Sequence, residues 1–337
     1  MTDDRQLIKE AHWLYEAGCS AGLSSDPKAL VDKMTELQRG FPAEDEFAAL
    51  CIWSGRCLLI HKLWQEQYPA SSRRLFQVPD FFVVFAIEGH QVPALVEVKS
   101  TSGDELVFSA SYHKRLVSYA SALGLPLLIA WKAQYGLWAL FDVAEMQRSR
   151  GGAWRVNCLE IMKQTLMGVM LGDFFANVRA GVGITMKIRI EERTSSDRFI
   201  GTVVASHWHN AQNQRVEALE GTFLPLLLCC PDEVETMEED NVLTQRFYVP
   251  TDNAVPAHQA MVAGLLQDDE PNWHALLASR DLEGGLDQVR KAAVDGTRKG
   301  MVSYVMHVEP RVRPPFLPQR KRQQPRHLQP PAQEGGT

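Results

Sequence analysis

Apolar residues recur along this chain with two periods, and the switches between them divide it. Between residues 44 and 66, Phe47, Leu50, Cys51, Ser54, Leu58, His61 and Trp64 fall at steps of three or four, which predicts an amphipathic helix. Short extended runs follow at Leu75–Val78, Phe81–Ile87 and Pro93–Lys99, the last two separated by the turn Glu88-Gly89-His90. A helical period returns over 109–124. The apolar runs Leu125–Trp131 and Leu137–Phe141 then read as strands joined by a turn at Gly136. Helix, three strands, helix, two strands predicts a mixed sheet flanked by helices, an α/β layer architecture over residues 41–150. Residues 1–40 read as a helical segment broken at Gly22–Pro27.

Beyond Gly151-Gly152 the texture changes. An apolar helix is expected over 157–179, strands at 184–191, 199–208 and 222–229, helices at 254–266, 271–280 and 284–298, and a strand at 301–308. The run 232–240, DEVETMEED, reads as a solvated loop. Residues 151–310 thus form a second, α+β domain. Residues 311–337 are rich in Pro and Gln, with six basic residues against one acidic, and predict a disordered basic tail.

Composition narrows the class. With 337 residues, 45% hydrophobic and 23% charged, the chain can bury a core without disulfide or metal staples. Its six cysteines form no CxxC pair, its first residues lack a secretory pattern, and no apolar stretch reaches membrane-spanning length. A cytoplasmic protein without a membrane partner is expected. The net charge of −6 is spread unevenly. A nucleic-acid partner requires only a local basic track, for which Arg73, Arg74, Lys99, Lys114, Arg115 and Lys132 are candidates.

The chemistry concentrates in Val78–Thr101, VPDFFVVFAIEGHQVPALVEVKST. Period-two alternation sets Glu97 and Lys99 on one face of a strand, with Val96 and Val98 on the apolar face. A hairpin at Glu88–His90 folds the preceding strand back and brings Asp80 toward Glu97. Carboxylates held together repel unless a cation compensates, and Mg²⁺ binds through one or two carboxylates plus waters and phosphate. Such a cation activates water and neutralises phosphate charge, and a neighbouring lysine orients the attacking water.

Other constellations are weaker. His207-Trp208-His209 offers two imidazoles without an evident third ligand, and Cys229-Cys230 reads as buried small hydrophobes. No phosphate-binding GxxxxGK[ST] loop is present, so no nucleotide cofactor is expected.

Pro79-Asp80 followed by Glu97-Val98-Lys99 resembles the PD-(D/E)xK nuclease superfamily, whose members include restriction endonucleases and Holliday-junction resolvases. The 16 intervening residues suit a two-strand hairpin, and EVKST is familiar in resolvase-like members. The resemblance covers about 100 residues. It implies a restriction-endonuclease-like fold and Mg²⁺-dependent hydrolysis of DNA phosphodiesters, with Mn²⁺ as a substitute. It implies Asp80, Glu97 and the carbonyl of Val98 as metal ligands, Lys99 on the water, and Glu46, with Glu44 as alternative, as the acid on the preceding helix. It also implies basic or amide residues on the following helix, where Lys114, Tyr119 and Arg115 stand. An endonuclease of restriction or anti-phage defence is the first expectation. The alternatives are a junction resolvase and a non-catalytic or partner-activated subunit of a larger complex. Residues 151–310 are the expected surface for a protein partner or a second copy.

Overall fold

The computed structural model describes residues 43–193, 199–216, 226–227, 229–230, 233–265 and 283–318. The expected helices over 1–40 and 271–280 lie outside these residues.

Helix α1 (43–53) buries Phe47, Leu50 and Cys51. It stops well short of the expected residue 66. The Ser54 hydroxyl donates to the Cys51 carbonyl at 2.7 Å and accepts from the Arg56 N–H at 3.1 Å, and Gly55 turns the chain at φ 66°. The next apolar run becomes β1 (Cys57–Lys62), an edge strand antiparallel to β2 (Phe81–Ile87). The helical spacing of Leu58 and His61 is therefore coincidental, because a paired edge strand satisfies the backbone there. Leu75–Val78 is not a strand; the chain makes a 3₁₀ turn over Ala70–Arg74 and continues without regular structure.

The hairpin between β2 and β3 (His90–Ser100) closes on Glu88 and Gly89, both at positive φ, as a two-residue loop with right-handed strand twist requires. Phe81 then pairs with Val96. β4 (Glu105–Phe108) and α2 (Ala110–Leu123) lead to β5 (Leu127–Lys132), parallel to β3, and β6 (Trp138–Asp142) returns antiparallel. The sheet order is β1-β2-β3-β5-β6. It is the mixed, helix-flanked sheet of a restriction-endonuclease-like architecture. Leu95, Ile129, Trp131 and Phe141 face α2, while Ala94, Val96, Val98, Leu128 and Trp138 pack with α1.

A small sheet joins β4 to β8 (Trp154–Asn157) and β7 (Gln147–Arg148). The expected helix over 157–179 is instead α3 (Cys158–Met162), a π turn at Met167–Leu171, and β9 (Phe175–Val178). Gly172, at φ 75°, ends that turn. The strands expected at 184–191 and 199–208 are present as β10 (Gly183–Arg193) and β11 (Phe199–His209). With β12 (Arg215–Val216), β13 (Glu233–Glu239) and β14 (Val242–Tyr248) they form an antiparallel sheet in the order β12-β11-β10-β14-β13. The acidic run is thus an edge strand and not a loop: one edge of its backbone pairs with β14 while its side chains stay solvated. Of the expected strand 222–229, Leu226, Leu227 and Cys229 are described; the first two are helical and Cys229 lies in a turn. β15 (Asn253–Pro256), β9 and β16 (Val302–Met306) make a third sheet, with α4 (Ala257–Leu265) and α5 (Gly285–Arg298) beside it.

One buried cluster runs from Phe47, Val96, Leu128 and Trp138 through Phe174, Val178, Leu286 and Val302 to Leu317. Residues 311–318 of the expected disordered tail therefore pack, with Leu317 buried and Arg313 paired to Glu88 at 3.0 Å, and residues 319–337 lie outside the described residues. A buried polar chain crosses the same region. Asp173 accepts from the His258 ring at 2.7 Å, His258 Nε2 accepts from the Trp138 N–H at 3.1 Å, and the Trp138 indole donates to Glu46 at 2.7 Å. Among the described residues no helix is long and apolar enough to cross a membrane.

Candidate active site

The hairpin register decides the site. Because Phe81 opposes Val96, Asp80 at the mouth of β2 stands opposite Glu97, on the face toward α2. Asp80 is fixed at both ends of the residue. Its carbonyl accepts from the Leu63 N–H at 2.8 Å and its Oδ2 accepts from the Val98 N–H at 2.7 Å. Glu97 is buried, and its Oε1 accepts from the Lys99 ammonium and the Tyr112 hydroxyl. Lys99 Nζ also donates to the Val98 carbonyl at 3.0 Å and lies 5.4 Å from the centre of the Tyr112 ring. The expected ligand carbonyl of Val98 is thus engaged by Lys99.

The electrostatics follow from this crowding. Burial, then the charge of Glu97, pushes the Asp80 carboxyl up to about 7, against the pull of Lys99 and the Val98 N–H. Burial opposes the charge on Lys99, but Glu97, Tyr112 and Asp80 together raise its pKa. Burial and then Glu97 raise that of Tyr112. The second oxygen of Glu97, Oε2, is buried without a hydrogen-bond partner. The orphaned Glu97 oxygen and the neighbouring Asp80 carboxyl are donors of the kind a divalent cation takes. The fit to Mg²⁺ is good, since that ion takes one or two carboxylates and completes its shell with water and phosphate. No group of three or more His, Cys, Asp or Glu side chains is arranged around a metal position among the described residues, and His207 and His209 are included in that statement. His209 instead meets the Gly181 carbonyl at 3.1 Å.

Glu46 does not join this group. Its carboxylate is held by Lys132 and by the Trp138 indole, on the face of the sheet opposite Glu97. Lys132 is likewise withdrawn from the expected basic track. The helix acid whose charge reaches Asp80 is Glu44, which pairs with Lys62 at 2.7 Å. Glu44 was the alternative for that position.

The expected nucleic-acid residues converge on α2 and the 3₁₀ turn. Arg115 Nη1 donates to the Arg73 carbonyl at 2.9 Å. Arg74, Lys114 and Arg115 line one depression with Phe76 and Ser111. Tyr119 packs edge-on against Phe76, with ring centres 6.5 Å apart. Tyr112 went unmarked in the sequence. It lies two helical turns before Tyr119 on the same stripe, and only the Ser109 N-cap, which accepts from the Tyr112 N–H at 3.2 Å, fixes which tyrosine reaches the strand end.

Comparison with known proteins bears on this segment. Residues 68–180 match the model of the archaeal Holliday junction resolvase family. The match takes in β2, β3, α2, β5 and β6, and with them Asp80, Glu97, Lys99 and Tyr112. It covers about a third of the chain. Among solved structures, the Holliday junction resolvase Hjc of Archaeoglobus fulgidus, an archaeal hyperthermophile, is 17% identical, with a TM-score of 0.31, covering 39% of this chain and 95% of that one. No curated protein matches. Residues 68–180 are thus similar to the archaeal Holliday junction resolvases, a family of PD-(D/E)xK-like nucleases.

Proposed function

We propose that this protein is a divalent-metal-dependent endonuclease acting on DNA, and that branched, junction-type DNA is its substrate class. The observation that carries the reading is the convergence of Asp80, Glu97 and Lys99 at one end of the sheet, within the segment matched by the resolvase family. That match favours a resolvase over a restriction or defence nuclease.

Asp80 and Glu97 Oε2 would hold the ion, Mg²⁺ or Mn²⁺. When bound there, the ion supplies Lewis acidity that lowers the pKa of a water and screens the scissile phosphate. Asp80 Oδ2 is aimed by the Val98 N–H, and Glu97 by two donors on its other oxygen. Lys99 keeps its proton and so serves as a fixed positive charge beside the phosphate and the incoming water. Arg73, Arg74, Lys114 and Arg115 bind the phosphates that flank the cleaved bond, which sets the duplex along α2. Residues 151–310 offer a surface for a second copy, so that two sites can address two strands.

The test is cleavage of a labelled four-way junction, linear duplex, single strand and supercoiled plasmid in Mg²⁺, Mn²⁺ or EDTA, beside Lys99→Ala. Metal-dependent cleavage of the junction, lost in the variant, supports the reading. Cleavage that persists in EDTA or in Lys99→Ala overturns it, and cleavage of plain duplex alone removes the junction specificity.

A further inference from the structure

We infer that Tyr112 is a positioning residue for the divalent cation, one that occupies Oε1 of Glu97 so that Oε2 faces the ion. The inference rests on the nuclease reading of the site. Three observations carry it. The Tyr112 hydroxyl donates to Oε1, the oxygen that Lys99 also engages. The other oxygen is buried and has no partner. The Tyr112 ring is itself held, edge-on to Phe108 with centres 5.2 Å apart and at 87°, and its residue sits in the first turn of α2 behind the Ser109 cap.

A carboxylate ligand rotates about its last bond unless one oxygen is tied, and ties of this kind commonly set metal affinity. Two donors on Oε1 give a redundancy with a purpose. Lys99 is the only one of the two carrying charge, and a phosphate competes for it. If Lys99 turns toward the phosphate, the tyrosine still holds Glu97 in place. A tyrosine suits this better than a second cation, because it donates without cancelling the negative charge that attracts the ion. A role in packing alone would need the ring and not the hydroxyl.

The test is Mn²⁺ binding to the full chain, by calorimetry and by the electron paramagnetic resonance of free ion, for the wild type, Tyr112→Phe and Glu97→Gln. Thermal unfolding checks that each variant is folded. Tyr112→Phe keeps the ring, so a similar melting temperature is expected together with Mn²⁺ affinity weakened about 10-fold. Junction cleavage by that variant should recover at high Mn²⁺. Affinity equal to wild type in Tyr112→Phe, with binding lost in Glu97→Gln, overturns the role of Tyr112 and leaves the nuclease reading standing. A wild type that binds no Mn²⁺, or a Glu97→Gln protein that binds it normally, overturns both.

Discussion

Replacing Asp80 by Asn should stabilise the cation-free protein, and increasingly so as the pH rises. Asp80 titrates near 7 in the fold, against an ordinary value of 3.8, because burial and Glu97 both resist its ionisation. The unfolded chain ionises this group above about pH 4, while the folded chain holds the proton until about pH 7. Folding stability therefore falls as pH climbs through that window and levels off above it. At ~1.4 kcal/mol per tenfold change in proton affinity, the full penalty is at most about 4 kcal/mol. Asparagine is nearly isosteric, and its carbonyl oxygen can still accept the Val98 N–H that Oδ2 accepts at 2.7 Å. The variant should thus match wild type near pH 4, gain roughly 1–2 kcal/mol at pH 5, and gain up to ~4 kcal/mol at pH 8. Urea unfolding in EDTA at these three pH values measures the difference. Added Mn²⁺ should close the gap at pH 8 by stabilising only the wild type. An advantage that is absent at pH 8, or equal at every pH, would refute the account of the site as carboxylates awaiting a cation.

Other substitutions probe the surroundings. His258→Ala removes the ring donor to Asp173 Oδ2 and the acceptor of the Trp138 N–H, leaving two buried polar groups each short of a hydrogen bond, and should cost about 2–5 kcal/mol in chemical denaturation. Gly285→Ala places a methyl carbon 2.1 Å from the Trp53 indole nitrogen, and should cost about 1–3 kcal/mol as α5 is pushed from α1. Arg74→Ala and Lys114→Ala should each weaken DNA binding and lower the slope of log affinity against log salt by about 1, measured by fluorescence anisotropy, without moving Mn²⁺ affinity.

The site's centre was legible because strand geometry is rigid. Once Glu88-Gly89 is read as a hairpin turn, period two fixes the faces of Glu97 and Lys99, and pairing delivers Asp80. What the sequence hid depends on where elements stop and how they rotate. Leu58 and His61 continue the helical spacing of α1, yet the Ser54-Gly55 turn ends the helix and pairing with β2 takes over. The same rotation of α1 turns Glu46 toward Trp138 and leaves Glu44 the acid nearer Asp80 in charge. Tyr112 and Tyr119 are equivalent by period, and only the start of α2 separates them. DEVETMEED reads as a loop by charge, because nothing in its composition reveals the free edge of β14.

The single buried cluster linking Phe47 to Leu317 has a consequence for how this protein can be taken apart. A fragment ending at residue 150 would keep α1 but strip the π turn at Met167–Leu171 from β2 and β6, and would lose the imidazole that accepts the Trp138 N–H. The five-stranded sheet and the strands after it should therefore melt in one transition. A cut within 254–265 or 283–310 should therefore loosen the end of the sheet that carries Asp80, Glu97 and Lys99 without touching a residue there.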